Sequence, residues 1–390
     1  MAYRVLNRDE HLHSAGQPKR ILALDGGGLR GILSIGLLAK IEDLLRERHG
    51  GLQEFRLCHY FDLITGTSTG AIIAAALAQG WTVEQIRDKY MSLGKRVFEK
   101  SLFWQGLLRA KYNKALLVDE LKQVYGAKAT LGGPELSTGL MVVTKRLDTG
   151  SPWPVGNNPR GQYFEASASG SIGNGDYPLW QVVRASTAAP YYFDPESITI
   201  SSVEGGGQPV IGNFVDGGIS PFNNPALQAL MYATMDGYRV GWPMGADKLL
   251  LVSIGTGAAD PAVAKASFAA SPAIGALTSL MQDCAVLQQT MLQWMSSSPT
   301  AKVLDSEVGD LRHDLLGGAP LISYLRYDVD LRPAAIQALD PGVQDLEKIK
   351  SLSEMDAPEN MAMLHDLGMR AGNRDVKAFD FPSVFDLPSS

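Results

Sequence analysis

The chain has 390 residues, of which 45% are hydrophobic and 19% charged, and its formal net charge is −6. This balance predicts a globular protein with one large core or two ordinary ones, and it excludes a disordered or collagen-like chain. No basic stripe suited to a phosphate backbone occurs, so nucleic acid is not an expected partner. The two cysteines, Cys58 and Cys284, give neither a disulfide framework nor a CxxC site.

The N-terminal residues are charged throughout and lack the apolar segment of a secretory signal, which predicts a cytoplasmic protein. Residues 63–83 are uncharged and approach the length of a membrane span, but glycines, threonines and Ser68 interrupt them. A turn followed by a buried helix explains this stretch better than a transmembrane helix does. We therefore expect any contact with a membrane to be peripheral.

Strands and helices alternate from residue 20 onward. The apolar run 20–25 predicts a strand, and residues 32–48 carry apolar side chains at helical spacing. The same unit recurs as a strand over 61–65 and a helix over 71–78. Further apolar runs predict strands at 140–144, 210–215 and 249–254. This alternation predicts an α/β fold with a mainly parallel central sheet that helices cover on both faces.

Two segments break the alternation. Residues 147–178 are rich in Gly, Pro, Asn and Ser, which predicts a flexible loop or flap. A Met-rich helical segment is predicted over 265–300, and it either packs on the core or forms an adaptable wall of a binding site. A further polar helical stretch follows at 341–373, and the last residues form a packed or frayed tail.

Gly66-Thr-Ser68-Thr-Gly70 matches the G-x-S-x-G pattern of a nucleophile elbow. It lies between a predicted strand and a predicted helix, which is the setting that the elbow requires. The glycines permit a sharp turn, and the turn presents the Ser68 hydroxyl at the N-terminus of the helix. The pattern therefore predicts that Ser68 is a nucleophile.

The segment Asp25-Gly-Gly-Gly-Leu-Arg-Gly31 also lies between a strand and a helix. Its consecutive glycines expose backbone N–H groups, as an oxyanion hole or a phosphate cradle requires. The segment also satisfies the dinucleotide pattern G-x-G-x-x-G, which suggests nucleotide binding as an alternative. That alternative is disfavoured because Glu42, Asp43 and Glu47 fall inside a predicted helix rather than at the end of a second strand.

A serine nucleophile needs a base, and the histidines are poorly placed for that role. Only His313 and His365 could follow an acid in the order Ser, Asp, His, and one lies in a charged segment and the other in a helical pattern. A predicted strand over 210–215 ends instead at Asp216, which two glycines follow. An aspartate at a turn is ordinarily a cap, but beside a serine without a histidine it becomes the candidate base.

The three motifs, in this order, resemble those of the patatin-like phospholipase family. Additional similarity lies at 184–193, 224–225, 251–257 and 324–328, so the resemblance covers about residues 18–370. It implies a three-layer α/β/α fold, related to the catalytic domain of cytosolic phospholipase A, with a Ser-Asp dyad. Under this interpretation residues 1–17 are an N-terminal extension, 18–370 are the catalytic domain and 371–390 are a C-terminal tail.

The resemblance also implies a role for each motif residue. Ser68 would attack an ester carbonyl, Asp216 would accept the serine proton and later activate water, and Arg30 would bind a lipid phosphate. No metal or cofactor is required by this chemistry. The oxyanion donors implied by the resemblance are the backbone amides of Gly26, Gly27 and Gly28, together with Thr69.

The function expected from these features is hydrolysis of fatty-acyl esters of phospholipids or lysophospholipids, with glycerides and small esters as further substrates. A membrane lipid or lysolipid is therefore the expected partner. Two alternatives stay open: a storage or binding protein of the same fold with weak turnover, and an immune or toxin effector whose phospholipase activity is regulated. The sequence does not decide the acyl position, the chain length or the oligomeric state.

Overall fold

The computed structural model describes residues 3–98, 114–167, 170–190, 192–201, 208–258 and 272–388. Within these ranges nine strands form one sheet: β1 (Lys19–Leu24), β2 (Leu63–Thr67), β3 (Gly139–Arg146), β4 (Pro152–Gly156), β5 (Glu196–Ser201), β6 (Val210–Asp216), β7 (Leu249–Ile254), β8 (Ser296–Ser297) and β9 (Ile322–Tyr327). The α-helices are α1 (Arg8–His13), α2 (Gly31–Arg48), α3 (Leu57–Tyr60), α4 (Thr69–Ala78), α5 (Val83–Phe98), α6 (Lys114–Tyr125), α7 (Leu179–Ser186), α8 (Ala226–Thr234), α9 (Pro272–Trp294), α10 (Pro333–Leu339), α11 (Leu346–Ser351) and α12 (Met361–Asp375).

The sheet is mainly parallel, as the sequence predicts. Its strand order is β5-β6-β3-β2-β1-β7-β9-β8, and β4 pairs with β3 outside this path. The pairs from β3 through β8 along this path are parallel, whereas β4, β5 and β6 form antiparallel pairs at one side. All five predicted strands and both predicted N-terminal helices are present, so the predicted α/β fold is confirmed.

Two apolar cores lie on opposite faces of the sheet, which gives the three layers. Successive residues of β1 alternate between them, because side chains of a strand point to opposite faces. Leu22 and Leu24 join the core formed with α2, α4, α5 and α12, and Ile21 and Ala23 join the core formed with α8. Every residue of β1 is buried, as expected for a strand covered on both sides.

The site depends on how strand β3 changes partner along one edge. Its residues up to Val143 pair with β2, whose last residue is Thr67. From Thr144 onward β3 pairs with β6, and Asp216 lies opposite Thr144. Because β4 pairs with β3 over this same stretch, it must occupy the other edge, and β6 takes over the edge that β2 leaves. The ends of β2 and β6 therefore meet.

The predicted loop 147–178 is only partly a loop. Residues Pro152–Gly156 form β4, an edge strand paired antiparallel with β3. Pro152 and Pro154 lack N–H groups, which an edge strand tolerates on its unpaired side. The proline and glycine content therefore predicted a loop where the structure has a strand.

The predicted boundaries at residues 17 and 370 do not separate packing units. Leu12 of α1 and Phe381 and Phe385 near the C-terminus are buried in the two cores. The boundary after residue 370 falls within α12, which packs on α2. The predicted Met-rich segment corresponds to α9 and β8 over the part of it that the structure describes, and its residues 265–271 lie outside that part. No described helix is long and apolar enough to cross a bilayer.

Candidate active site

Ser68 occupies a strained turn between β2 and α4. Its backbone has φ 55° and ψ −126°, a region that residues with a side chain rarely adopt. The turn is possible because Gly66 and Gly70 touch: a Cβ on Gly66 would lie 2.2 Å from the carbonyl oxygen of Gly70. A Cβ on Gly70 would likewise meet the Leu24 carbonyl of β1 at 2.2 Å. The predicted nucleophile elbow is thus the observed local structure.

The hydroxyl of Ser68 donates a hydrogen bond to Oδ2 of Asp216 at 2.6 Å, although the two residues are 148 positions apart. The other carboxylate oxygen, Oδ1, accepts the backbone N–H of Gly218 at 2.7 Å. This second bond orients the carboxylate, so that Oδ2 faces the serine. The structure therefore brings together the nucleophile and the base that the sequence predicts.

Both members of this pair are buried, with Ser68 9% and Asp216 4% exposed. Burial raises the pKa of Asp216 to about 6, while hydrogen bonds from Ser68 and Gly218 and the positive charge of Arg184 act to lower it. The carboxyl is therefore ionised at neutral pH. Its raised pKa makes it a stronger base than an exposed aspartate, which suits proton transfer from a hydroxyl.

A second serine, Ser186 of α7, holds the elbow in place. Its hydroxyl accepts the backbone N–H of Ser68 at 2.8 Å and donates to the carbonyl of Val143 at 2.6 Å. Val143 is the residue at which β3 loses its pairing with β2. The fully buried hydroxyl therefore bridges nucleophile and sheet where the backbone ladder ends. Ser186 lies within residues 184–193, a segment that resembles the patatin-like family, but no role was predicted for it.

The glycine loop lines the same pocket as Ser68 at Gly27 and Gly28, but the predicted set of oxyanion donors needs one correction. The N–H of Gly26 donates to the carbonyl of Asn223 at 3.0 Å, which commits it to the fold and removes it from the set of oxyanion donors. The N–H of Gly27 makes only a long contact of 3.3 Å with Oγ1 of Thr69. Within the described chain the amides of Gly28 and Thr69 have no hydrogen-bond acceptor. Gly27, Gly28 and Thr69 thus remain as candidates.

Gly28 is the loop position where glycine is required. Its φ is +60°, and a Cβ there would lie 2.2 Å from the carbonyl oxygen of Met355. That carbonyl accepts the N–H of the next residue, Leu29, at 2.7 Å. The loop is also held at Gly26, whose carbonyl accepts bonds from Asn223 and Thr256. These long-range contacts fix the amides before any substrate binds.

Arg30 does not lie in the pocket. Its side chain is 5% exposed, and its guanidinium donates to the carbonyl of Gly257 at 3.3 Å. A buried guanidinium facing the fold does not support the predicted contact with a lipid phosphate. Among the described residues that line the pocket there is no lysine, arginine or histidine. His313 and His365 are therefore also outside it.

A pocket of about 170 Å³ opens beside the dyad. Ser68, Asp216, Gly27, Gly28 and Thr69 are among the residues that line it. The described walls are predominantly apolar, and they include Met281, so that the Met-rich helix α9 lines this pocket. The apolar lining includes Ile72, Leu93, Leu117, Pro190, Phe193 and Met281. Such a pocket suits a hydrocarbon chain better than a charged ligand.

Comparison with known proteins places this chain in a protein family. A family model described as patatin-like phospholipase matches residues 22–230, more than half of the chain. A cGAMP-activated phospholipase of Escherichia coli is 30% identical over 221 residues, which are 56% of this chain and 56% of that protein. A cGAMP-activated phospholipase of Vibrio cholerae is 30% identical over 57% of this chain and 60% of its own length. Patatin-like protein 4 of Arabidopsis thaliana is 27% identical over 61% of this chain and 59% of its length.

The matched regions thus span less than two thirds of the length of each of these relatives. VipD from Legionella pneumophila, a solved structure, aligns with 93% of this chain and 71% of its own at 14% identity, with a TM-score of 0.31. A TM-score at that level supports no structural argument.

Proposed function

The chain belongs to the patatin-like phospholipase family, and we propose that it hydrolyses fatty-acyl esters of phospholipids or lysophospholipids through a Ser68–Asp216 dyad. The observation that carries this proposal is the 2.6 Å hydrogen bond from the Ser68 hydroxyl to Asp216, two residues that line an apolar pocket. A serine presented on a strained turn beside a buried carboxylate has the geometry of an activated nucleophile.

In the proposed acylation step Oγ of Ser68 attacks the ester carbonyl carbon, and its proton passes to Oδ2 of Asp216. The carbonyl oxygen takes up the negative charge and accepts hydrogen bonds from the amides of Gly27, Gly28 and Thr69. Collapse of this intermediate breaks the ester bond, and Asp216 returns the proton to the departing lipid alkoxide. The fatty acid is then bound to Ser68 as an ester.

Deacylation repeats these roles with water. Asp216 takes a proton from a water molecule, whose oxygen attacks the acyl carbon of the Ser68 ester. The same amides stabilise the second oxyanion, and Ser68 leaves as it regains the proton from Asp216. The products are a free fatty acid and the unchanged enzyme. The apolar walls hold the acyl chain, while the headgroup, for which the described walls supply no cation, stays outside the pocket.

Fatty-acid release from phospholipid vesicles tests the proposal. The wild-type chain should release fatty acid, and a fluorophosphonate should label Ser68. Positionally labelled phosphatidylcholine would identify the acyl position that is cut. A folded chain that binds lipid but shows neither turnover nor labelling would favour a storage or binding protein of the same fold.

A second candidate concerns activation, and the relatives from Escherichia coli and Vibrio cholerae favour it. Both are described as cGAMP-activated phospholipases, and each resembles more than half of this chain. We propose that a cyclic dinucleotide raises the activity of this protein as well. The test compares fatty-acid release with and without cGAMP, with a linear dinucleotide as the control. Equal rates in all three conditions would contradict this activation.

A further inference from the structure

We infer that Tyr90 is a positioning residue that fixes the oxyanion loop, an inference that rests on the proposed hydrolase function. Tyr90 belongs to none of the sequence motifs and lies on α5. Its hydroxyl donates to the carbonyl oxygen of Gly28 at 2.7 Å. Its side chain also lines the pocket beside Leu93. One side chain thus contacts both the loop that holds the oxyanion and the space that holds the acyl chain.

The hydrogen bond from Tyr90 helps to fix the backbone of Gly28, and glycine is the residue type with the greatest backbone freedom. Gly28 has two freely rotating torsions and no side chain, so its peptide planes turn unless their polar groups are bound. The peptide joining Gly28 to Leu29 is held at its N–H by the Met355 carbonyl, at 2.7 Å, and at its carbonyl by the Tyr90 hydroxyl together with the Gly31 N–H. Fixing this plane limits the rotation of the preceding plane, which carries the Gly28 N–H offered to the oxyanion.

The loop is shaped to receive this hydroxyl. A Cβ on Gly31 would lie 2.5 Å from the Tyr90 oxygen, so the absence of a side chain there allows the phenol to reach the loop. Tyr90 is only 3% exposed. A hydrogen bond shielded from water in this way is not readily replaced by solvent, and its removal leaves the Gly28 carbonyl with the Gly31 N–H as its remaining donor.

Tyr125 provides a matched control within the same chain. Its hydroxyl donates to the carbonyl of Ile72 at 2.9 Å, and its side chain is also 3% exposed. Tyr125 lies on α6 and does not line the described pocket. Replacement of either tyrosine by phenylalanine removes one buried hydroxyl and one bond to a backbone carbonyl, and leaves the ring. Only Tyr90→Phe loosens the oxyanion loop.

The experiment compares the steady-state kinetics of wild type, Tyr90→Phe and Tyr125→Phe on the same phospholipid. We expect kcat of Tyr90→Phe to fall about 10- to 100-fold, because a misplaced oxyanion donor acts in the transition state. Its KM should change less than about twofold, since the ring still lines the pocket. Tyr125→Phe should keep the wild-type kcat while showing a similar drop in Tm.

A second measurement separates positioning from a general structural effect. A fatty trifluoromethyl ketone adds to Ser68 and places an oxyanion in the loop, whereas an uncharged fatty alcohol fills the pocket without one. Tyr90→Phe should weaken inhibition by the ketone by the factor lost in kcat and leave binding of the fatty alcohol unchanged. If the wild type is active, an unchanged kcat in Tyr90→Phe would overturn this inference and leave the proposed function standing. An equal loss of kcat in Tyr125→Phe would do the same. A wild type that neither hydrolyses lipid nor reacts with a fluorophosphonate contradicts the proposed function, and this inference with it.

Discussion

Two buried aspartates begin the two glycine-rich turns of the site, and their surroundings differ in one respect. Asp25 directly follows β1 and receives two hydrogen bonds from the guanidinium of Arg326, at 3.0 and 2.7 Å. Asp216 is the last residue of β6, and its carboxylate accepts hydrogen bonds from two groups of the described residues, the Ser68 hydroxyl and the Gly218 N–H. Burial raises the pKa of Asp216 to about 6, whereas for Asp25 the positive charge and the hydrogen bonds of Arg326 oppose the effect of burial on the pKa.

This difference means that the carboxylate of Asp25 supports the glycine loop, whereas that of Asp216 is suited to proton transfer. Arg326 also donates to Asp328 at 2.9 Å, so Asp25 belongs to a buried ion-pair cluster that anchors the start of the glycine loop. Both carboxylate oxygens of Asp25 are bonded to the guanidinium of Arg326, and Asp25 does not line the described pocket, so it is not placed to accept a proton from a reacting group. Asp216 has no such cation bonded to it within the described chain and can gain and lose a proton without loss of an ion pair.

The largest effect should come from the dyad itself. Ser68→Ala and Asp216→Asn should each lower kcat for fatty-acid release by about 10³-fold or more, since both act in the same proton transfer. The double variant should be no worse than either single variant, because residues that act as a unit are not additive. Circular dichroism and Tm would verify that each variant is folded. Activity near the wild-type value in a folded Asp216→Asn would contradict the dyad.

Asp25→Asn should instead act on stability. Removal of this charge leaves Arg326 buried with one partner fewer, and we expect the free energy of unfolding to fall by about 3 kcal/mol at neutral pH. Chemical denaturation would measure this loss. The comparison predicts that the same substitution destabilises the protein at position 25 and not at position 216. Equal stability changes at both positions would show that Asp25 and Asp216 do not differ as described.

Asp216→Asn should stabilise the fold by on the order of 1–3 kcal/mol at pH 7, because it removes a buried charge whose pKa is raised. The sign follows from the pKa: the native carboxyl binds its proton near pH 6, and the unfolded one near 3.8, the ordinary value for aspartate. The cost of the charge is therefore fully present above pH 6 and absent below pH 4. The difference between variant and wild type should vanish as the pH falls through this window.

Ser186→Ala should have a more moderate effect on catalysis. Without the bridging hydroxyl the Ser68 N–H and the Val143 carbonyl lose their partners, and the elbow relaxes. We expect kcat to fall about tenfold with little change in KM. Ser323→Ala is the matched control, since its buried hydroxyl donates to the carbonyl of Ala246 at 2.7 Å, in β9 and away from the pocket. A similar loss of kcat in both variants would argue against a positioning role for Ser186.

The smallest change is a graded response to pH. Because ionised Asp216 accepts the serine proton, kcat/KM should fall to half near pH 6 and then decline about tenfold per pH unit below it. The substrate should be an uncharged ester, because its own ionisation then does not contribute to the pH profile of kcat/KM. A midpoint near pH 4 would show that burial does not shift this carboxyl, and would remove the contrast with an exposed aspartate.

The sequence predicted the parts of the molecule whose signal is local. Apolar runs located β1, β2, β3, β6 and β7, and glycines beside Ser68 and Asp216 marked the dyad. Strand β9 was not predicted because it contains the charged residue Arg326, and burial of that charge depends on ion pairs with the distant Asp25 and with Asp328. Strand β4 was not predicted because its prolines indicated a loop.

The errors within the site have the same origin. The Gly26 amide is occupied by Asn223 and the Arg30 guanidinium binds Gly257, and both partners lie about two hundred positions away along the chain. Tyr90 reaches Gly28 from a helix without any motif. No local pattern contains these contacts, because they depend on how the sheet assembles. The motif residues could thus be found from the sequence, whereas the backbone amides that are free to bind an oxyanion could not.

The pairing of β3 with β2 and then with β6 means that one strand sets the distance between the two reacting side chains. Ser68 follows the residue paired with Val143, and Asp216 pairs with Thr144, the next position. The long connection between Thr69 and Val215 therefore acts on their separation through this strand and through Ser186, which links Ser68 to it. Segments inserted into or removed from that connection can alter which lipids reach the pocket while the reacting oxygens stay in place. The fold thus leaves substrate choice and reaction chemistry free to diverge independently.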